Sequence, residues 1–108
     1  MNAQSTQKRI AFGYNRGASG KIELNIGQAS VVKLIFTWYL EGKSIGQIAD
    51  MLEGLNIPTA QNKPKWGRQV LSNILSNSHY TGQDISYPPI ISKEDFENVQ
   101  KTKLARNK

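Results

Sequence analysis

The apolar residues change period along the chain, and each change predicts an element. IAFGYN and KIELN flank RGASG, a turn with two glycines, which predicts a β-hairpin over about residues 10–25. VVKLIFTWYL is apolar almost all round. Val31, Leu34, Ile35 and Trp38 make one face and Val32, Phe36, Tyr39 and Leu40 cover most of the rest, so this helix is expected to be central and buried on several sides. Ile45, Ile48, Ala49, Leu52 and Leu55 then follow helical spacing, with Gln47, Asp50 and Glu53 directed to solvent. Val70, Leu71, Ile74 and Leu75 predict the buried stripe of a helix over 67–77. Phe96, Val99 and Leu104 give a last helix its apolar side.

Capping residues punctuate these elements. Asn25 with Gln28, and Ser44 with Gln47, are spaced as capping boxes. Gly42 and Asn56 suit left-handed exits, and Pro58 blocks continuation of the second helix. IPTAQNKPKW reads as a loop held by two prolines. Ser92 caps the last helix, Asp95 sits favourably in its first turn, and Ile91 and Phe96 are placed as a hydrophobic staple. The expected fold is mainly α with a small N-terminal β-hairpin: a helix-turn-helix-like three-helix core plus a C-terminal helix. Residues 1–9 are polar and read as a flexible linker, 10–104 as one domain, and 105–108 as a basic tail.

Composition narrows the chemistry. At 108 residues the chain holds one small domain. It has no cysteine, and His79 is its single histidine, so thiolate and multi-histidine metal sites are excluded and no metal or cofactor is expected. No signal peptide opens it and no apolar run is long enough to span a bilayer, which fits a cytoplasmic protein without a membrane partner. Fourteen basic against eight acidic residues give a net charge of +6. No acid occurs from Gly54 to Gln83, where Lys63, Lys65 and Arg68 lie, and Lys101, Lys103, Arg106 and Lys108 cluster at the end. Such strips suit a polyanion, although an ordinary basic protein would share the total.

The strip leads into an unusual helix. Gln69, Ser72, Asn73 and Ser76 fall at i, i+3, i+4 and i+7 and share the face opposite the apolar stripe. None is charged, and all both donate and accept hydrogen bonds. A merely solvated face more often carries Glu and Lys, which are better helix formers. The face therefore suits a groove lined with donors and acceptors. In a helix-turn-helix arrangement the helix at 44–55 would cross the phosphates and the one at 67–77 would enter the major groove, over a connection longer than the usual three or four residues. Lys63, Lys65 and Arg68 then become phosphate contacts, joined by Arg16 and the tail, with Arg68 also in reach of guanine. Gln69 and Asn73 carry the amide suited to adenine, and Ser72 and Ser76 are weaker readers. Trp66 is expected to pack beneath the helix start rather than touch a ligand.

Catalysis is poorly supported. Glu94, Asp95 and Glu97 occupy a first helical turn where acids favour the dipole, His79 has no partner by spacing, and no serine lies in a GxSxG elbow. GASGK lacks the first glycine of a phosphate loop and reads as a turn.

Four blocks in order carry a resemblance: AFGYNRGASGKIELN, VVKLIFTWYLEGKSIGQIADMLEGLNIPT, KWGRQVLSNILSNSHYTG and IISKEDFENVQ. Together they resemble the recombinase domain of the large serine recombinases over residues 10–101. The resemblance implies sequence-specific binding of double-stranded DNA at recombination attachment sites, by a non-catalytic domain of a larger site-specific recombinase. It implies contact with the other domains and protomers of that recombinase, a nucleophilic serine in a separate domain, and no catalytic residue in this chain. The chain departs from the family pattern at Gly67, where serine is usual, at Ile26 for proline and at Asn56 for glycine. Ser72, Asn73 and Ser76 stand where relatives often carry arginine, which removes charge from the reading helix. The competing readings are a protein–protein module within a recombinase assembly, marked by self-association without DNA affinity, and a stand-alone helix-turn-helix regulator.

Overall fold

The computed structural model describes residues 10–106. The proposed linker at 1–9 and the tail residues Asn107 and Lys108 lie outside the described residues. Two short antiparallel strands, β1 (Tyr14–Arg16) and β2 (Ile22–Leu24), pair with Tyr14 opposite Leu24 and Arg16 opposite Ile22. The helices α1 (Ile26–Leu40), α2 (Ile45–Gly54), α3 (Arg68–Leu75) and α4 (Lys93–Arg106) follow, with a 3-10 turn at Ser78–Thr81 between the last two. This is the mainly helical fold with a small hairpin that the apolar pattern predicts.

The helix ends follow their capping residues, with one exchange of partners. Asn25 accepts from the Gln28 amide at 3.0 Å, but the Gln28 side chain does not close the expected box. Its Oε1 instead accepts from Gly13 N at 2.9 Å, while Asn25 N donates to Gly13 O. Gly13 has φ +109°, and a Cβ there would lie 2.9 Å from Ile90 Cδ1, so the hairpin approaches α1 through a position that glycine suits. Gln28 thus tethers the hairpin to α1 rather than sealing the helix. The Ser44–Gln47 box of α2 forms in full. Both α1 and α2 end in Schellman turns. Lys43 N donates to Trp38 O after Gly42, and Ile57 N donates to Leu52 O after Asn56, whose φ is +59°.

α1 is the central element. Val32, Ile35, Phe36 and Tyr39 are buried and meet Ile48 and Leu52 of α2, Leu71 and Leu75 of α3 and Val99 of α4 in one core. Tyr14 stacks on Tyr80, and Phe36 meets Tyr80 edge-on, which joins the hairpin and the 3-10 turn to that core. Two expected apolar contacts do not form. Leu55 is exposed because the chain turns out of α2 at Asn56, and Leu104 is exposed because α4 buries only Val99 fully.

α4 runs to Arg106, so the segment read as the start of a tail is ordered helix. The Arg106 guanidinium lies over the Tyr39 ring, 4.2 Å from its centroid, and donates to Lys43 O at 2.8 Å. It therefore meets the negative end of α1, an internal role instead of the phosphate contact expected of the tail. No helix among the described residues is long and apolar enough to cross a membrane.

Candidate nucleic-acid interface

The start of α3 is fixed by residues on both sides of a long loop. Trp66 is buried and its Nε1–H donates to Ile57 O at 2.7 Å. Its backbone N–H donates to Glu53 Oε2 at 2.8 Å. Glu53 was expected to face solvent; it instead holds the loop to α2, because the Trp66 amide has no helical partner of its own. Phe12 packs edge-on against the indole, with ring centroids 5.4 Å apart. Trp66 is thus the anchor that the sequence predicts. Gly67 N-caps α3 without a side-chain hydrogen bond, so this eight-residue helix is held by packing rather than by its cap.

Arg68 opens α3 and reaches back over the first turn of α2. A Cβ at Gly46 would meet its Nη2 at 3.0 Å, which places the guanidinium against the N-terminus of that helix. The free amides of α2's first turn and the Arg68 cation therefore face one region. Both favour an anion there.

Leu71, Ile74 and Leu75 form the buried stripe of α3. Val70 does not join it, being 44% exposed, because the helix turns its 71–74–75 edge to the core and carries Val70 to the flank. Gln69, Asn73 and Ser76 are exposed and Ser72 is half-buried, so the four polar side chains lie together on one helix as predicted. Gln69 Nε2 donates to Asn73 Oδ1 at 2.8 Å.

α4 closes the far end. Gln100 Nε2 donates to Leu75 O at 2.7 Å, and Lys103 Nζ donates to Ser76 Oγ. Lys103 thus extends the basic rim across the C-terminal end of the polar face. The sequence hints at it only through the charge cluster, because its partner lies 27 residues away.

The remaining predicted residues divide into two places. Lys63 and Lys65 are exposed in the loop before α3. Lys63 sits at the base of a turn closed by Thr59 N to Lys63 O at 2.9 Å, with Asn62 at φ +61° at its tip. Arg16 is elsewhere: its Nη1 donates to Gly20 O at 2.9 Å in the hairpin turn, beside the 82–89 segment. The structure does not bring Arg16 to the α3 face.

An open groove of about 660 Å³ runs along the flank of α3. Val70, Asn73 and Asn77 form one wall, and Phe12, Ala60 and Tyr87 line it from other segments. His79 also lines it and is not unpartnered as its spacing suggested. It stacks on Tyr87 with centroids 4.1 Å apart, and its Nδ1 lies 3.7 Å from Asp84 Oδ2. Burial pushes the Tyr14 phenol up to about 12, with Tyr87 adding to the shift, and burial raises Tyr80, which lines the groove, further. Tyr14 Oη donates to Pro88 O at 2.7 Å and Tyr80 Oη to Phe12 O at 2.7 Å, so both are neutral structural donors.

A family profile described as Recombinase matches residues 27–106. A protein of Bacillus subtilis (strain 168), named "Putative DNA recombinase", is 30% identical over 92 residues, covering 81% of this chain and 17% of that protein. Among solved structures, a chain from "Crystal Structure of a LSR-DNA Complex" superposes with a TM-score of 0.73 at 25% identity, covering 94% of this chain and 34% of the other. A second, from work on the Listeria innocua prophage attP site, gives 0.69 at 25% identity, covering 86% and 41%. The chain spans well under half the length of each of these relatives. A profile match from the second residue of α1 to the last of α4, carried on the same fold, means that the chain belongs to the Recombinase family.

Proposed function

We propose that this chain binds double-stranded DNA by placing α3 in the major groove, as the DNA-reading part of a longer site-specific recombinase. The observation that carries this reading is the exposed, uncharged face Gln69–Asn73–Ser76, rimmed by Arg68 at one end and Lys103 at the other. Donors and acceptors in the centre read base edges, while cations at the rim meet phosphates. Family membership and the likeness to a recombinase–DNA complex support the same partner.

In this mechanism Lys63, Lys65, Arg68 and Lys103 neutralise phosphates, and the first turn of α2 offers its free amides to one of them. Asn73 presents its amide to adenine. Its Oδ1 has two lone pairs, so it accepts from Gln69 and from the adenine amino group together, while Nδ2 donates to N7. Ser72 and Ser76 add single hydrogen bonds. Arg106 stays on α1. The recognised sequence is an attachment site for recombination, and strand cleavage belongs to another part of the parent recombinase. Contacts with its other domains and protomers would use the surfaces away from α3.

A fluorescence-anisotropy titration with a pool of random duplexes tests this, followed by selection of bound sequences. Four phosphate contacts predict a log–log salt slope on the order of −4. Salt-sensitive binding that enriches one sequence supports the reading. Self-association with no DNA affinity at low salt would refute it.

A further inference from the structure

Resting on the reading of α3 as the DNA-contacting helix, we infer that Val70 is a further specificity-determining residue, which recognises the 5-methyl group of a thymine beside the base pair read by Asn73. Three observations converge on it. Val70 is 44% exposed although its neighbours Leu71, Ile74 and Leu75 are buried, so it makes no full contribution to the core. It stands one helical turn before Asn73, on the same wall of the groove. Valine is also a poor choice for an exposed place in a short helix that lacks a side-chain cap, where Lys, Glu or Gln would favour the helix.

The chemistry fits one base feature. Among the groups displayed in the major groove, only the thymine methyl is apolar, and small apolar side chains recognise it by contact. Residues three apart on a helix have Cβ atoms about 5–6 Å apart. That exceeds one base-pair step of about 3.4 Å and falls short of two, so Val70 meets a pair next to the one read by Asn73. Ala60 and Phe12 line the same groove as Val70 and add apolar surface to its walls, which also carry polar groups and the Asp84 carboxylate.

The test uses a duplex enriched from a random pool by this chain, in which each thymine is replaced in turn by deoxyuridine. The replacement removes one methyl and no hydrogen-bonding group. The wild-type chain should lose about fourfold in affinity at one position, the change expected for one methyl taken out of contact. Val70→Ser, which sets a hydroxyl against the methyl, should bind the thymine and uracil duplexes equally. Serine and valine have similar helix propensities, so the variant keeps its fold, checked by circular dichroism. Equal wild-type affinity for every substituted duplex would overturn the inference, as would a Val70→Ser variant that still loses affinity at the same position. If Asn73→Ala relaxes base preference while uracil has no effect, the reading of α3 stands and the role of Val70 falls. If no sequence is enriched, both fall.

Discussion

Gln69 Nε2 donates to Asn73 Oδ1 at 2.8 Å, one helical turn apart on the exposed face of α3. That bond fixes which end of the Asn73 amide is which before any partner arrives, so less side-chain freedom is lost on binding. Asn73→Ala should lower discrimination at one A·T pair by about 1–3 kcal/mol while leaving affinity for random DNA nearly unchanged. Gln69→Ala should give a smaller loss at the same pair, because Asn73 remains but turns freely. Competition binding with single-base variants of the selected duplex measures both.

Arg106 gives the opposite expectation. Its guanidinium covers Tyr39 in the last turn of α1 and donates to Lys43 O in the turn that follows. Arg106→Ala should therefore destabilise the fold by roughly 1–2 kcal/mol, from a lost charged hydrogen bond and helix-end interaction at a mostly exposed site. Urea denaturation reads this. The salt slope of DNA binding should stay the same, whereas Lys103→Ala should reduce it by about one.

Trp66 and Glu53 set the position of the α3 start. Trp66→Ala should cost about 3–5 kcal/mol, as large aromatic truncations in cores do. Trp66→Phe keeps much of the packing and leaves Ile57 O without its indole partner, a loss of about 1 kcal/mol. Glu53→Ala should weaken DNA binding more than its distance from the polar face suggests, because the Trp66 amide loses its acceptor and the helix start loosens. Thermal denaturation together with anisotropy separates the two effects.

The tyrosine pair predicts a loss of stability at alkaline pH. The folded Tyr14 phenol is held up at about 12, against an ordinary value near 10, and Tyr80 is raised further in the same direction. Between those values the unfolded chain gives up protons that the folded chain keeps, so stability falls as pH rises. The contribution should be fully present below about pH 10 and decline from there through pH 12. Tyr14→Phe and Tyr80→Phe variants should show a shallower decline than the wild type, in denaturation series that hold the lysine titration common to all.

Local signals made much of this molecule legible. The hairpin turn, the Ser44–Gln47 box and the left-handed Asn56 all involve residues within a few positions of one another, so the sequence carries them directly. Tertiary choices are a different matter. Gln28 had two possible acceptor roles, and only the approach of Gly13 decided between them. Val70 and Leu71 are adjacent and equally apolar, and nothing local says which edge of an eight-residue helix turns inward. Arg106 finds its carbonyl across 63 residues, and Lys103 finds Ser76 across 27, so a basic C-terminal run could be read only as charge. Of the predicted phosphate contacts, Arg16 was placed by charge alone, and the hairpin holds it away from α3.

Entry of α3 into the DNA can be read from backbone amide chemical shifts. A 108-residue chain suits a two-dimensional NMR titration with the selected duplex. The largest shifts are expected at residues 68–76, smaller ones at Ser44–Gln47 and Lys103, and little change in the hairpin turn at 17–20. Shifts concentrated on the hairpin or the 82–89 segment, with α3 unmoved, would contradict it.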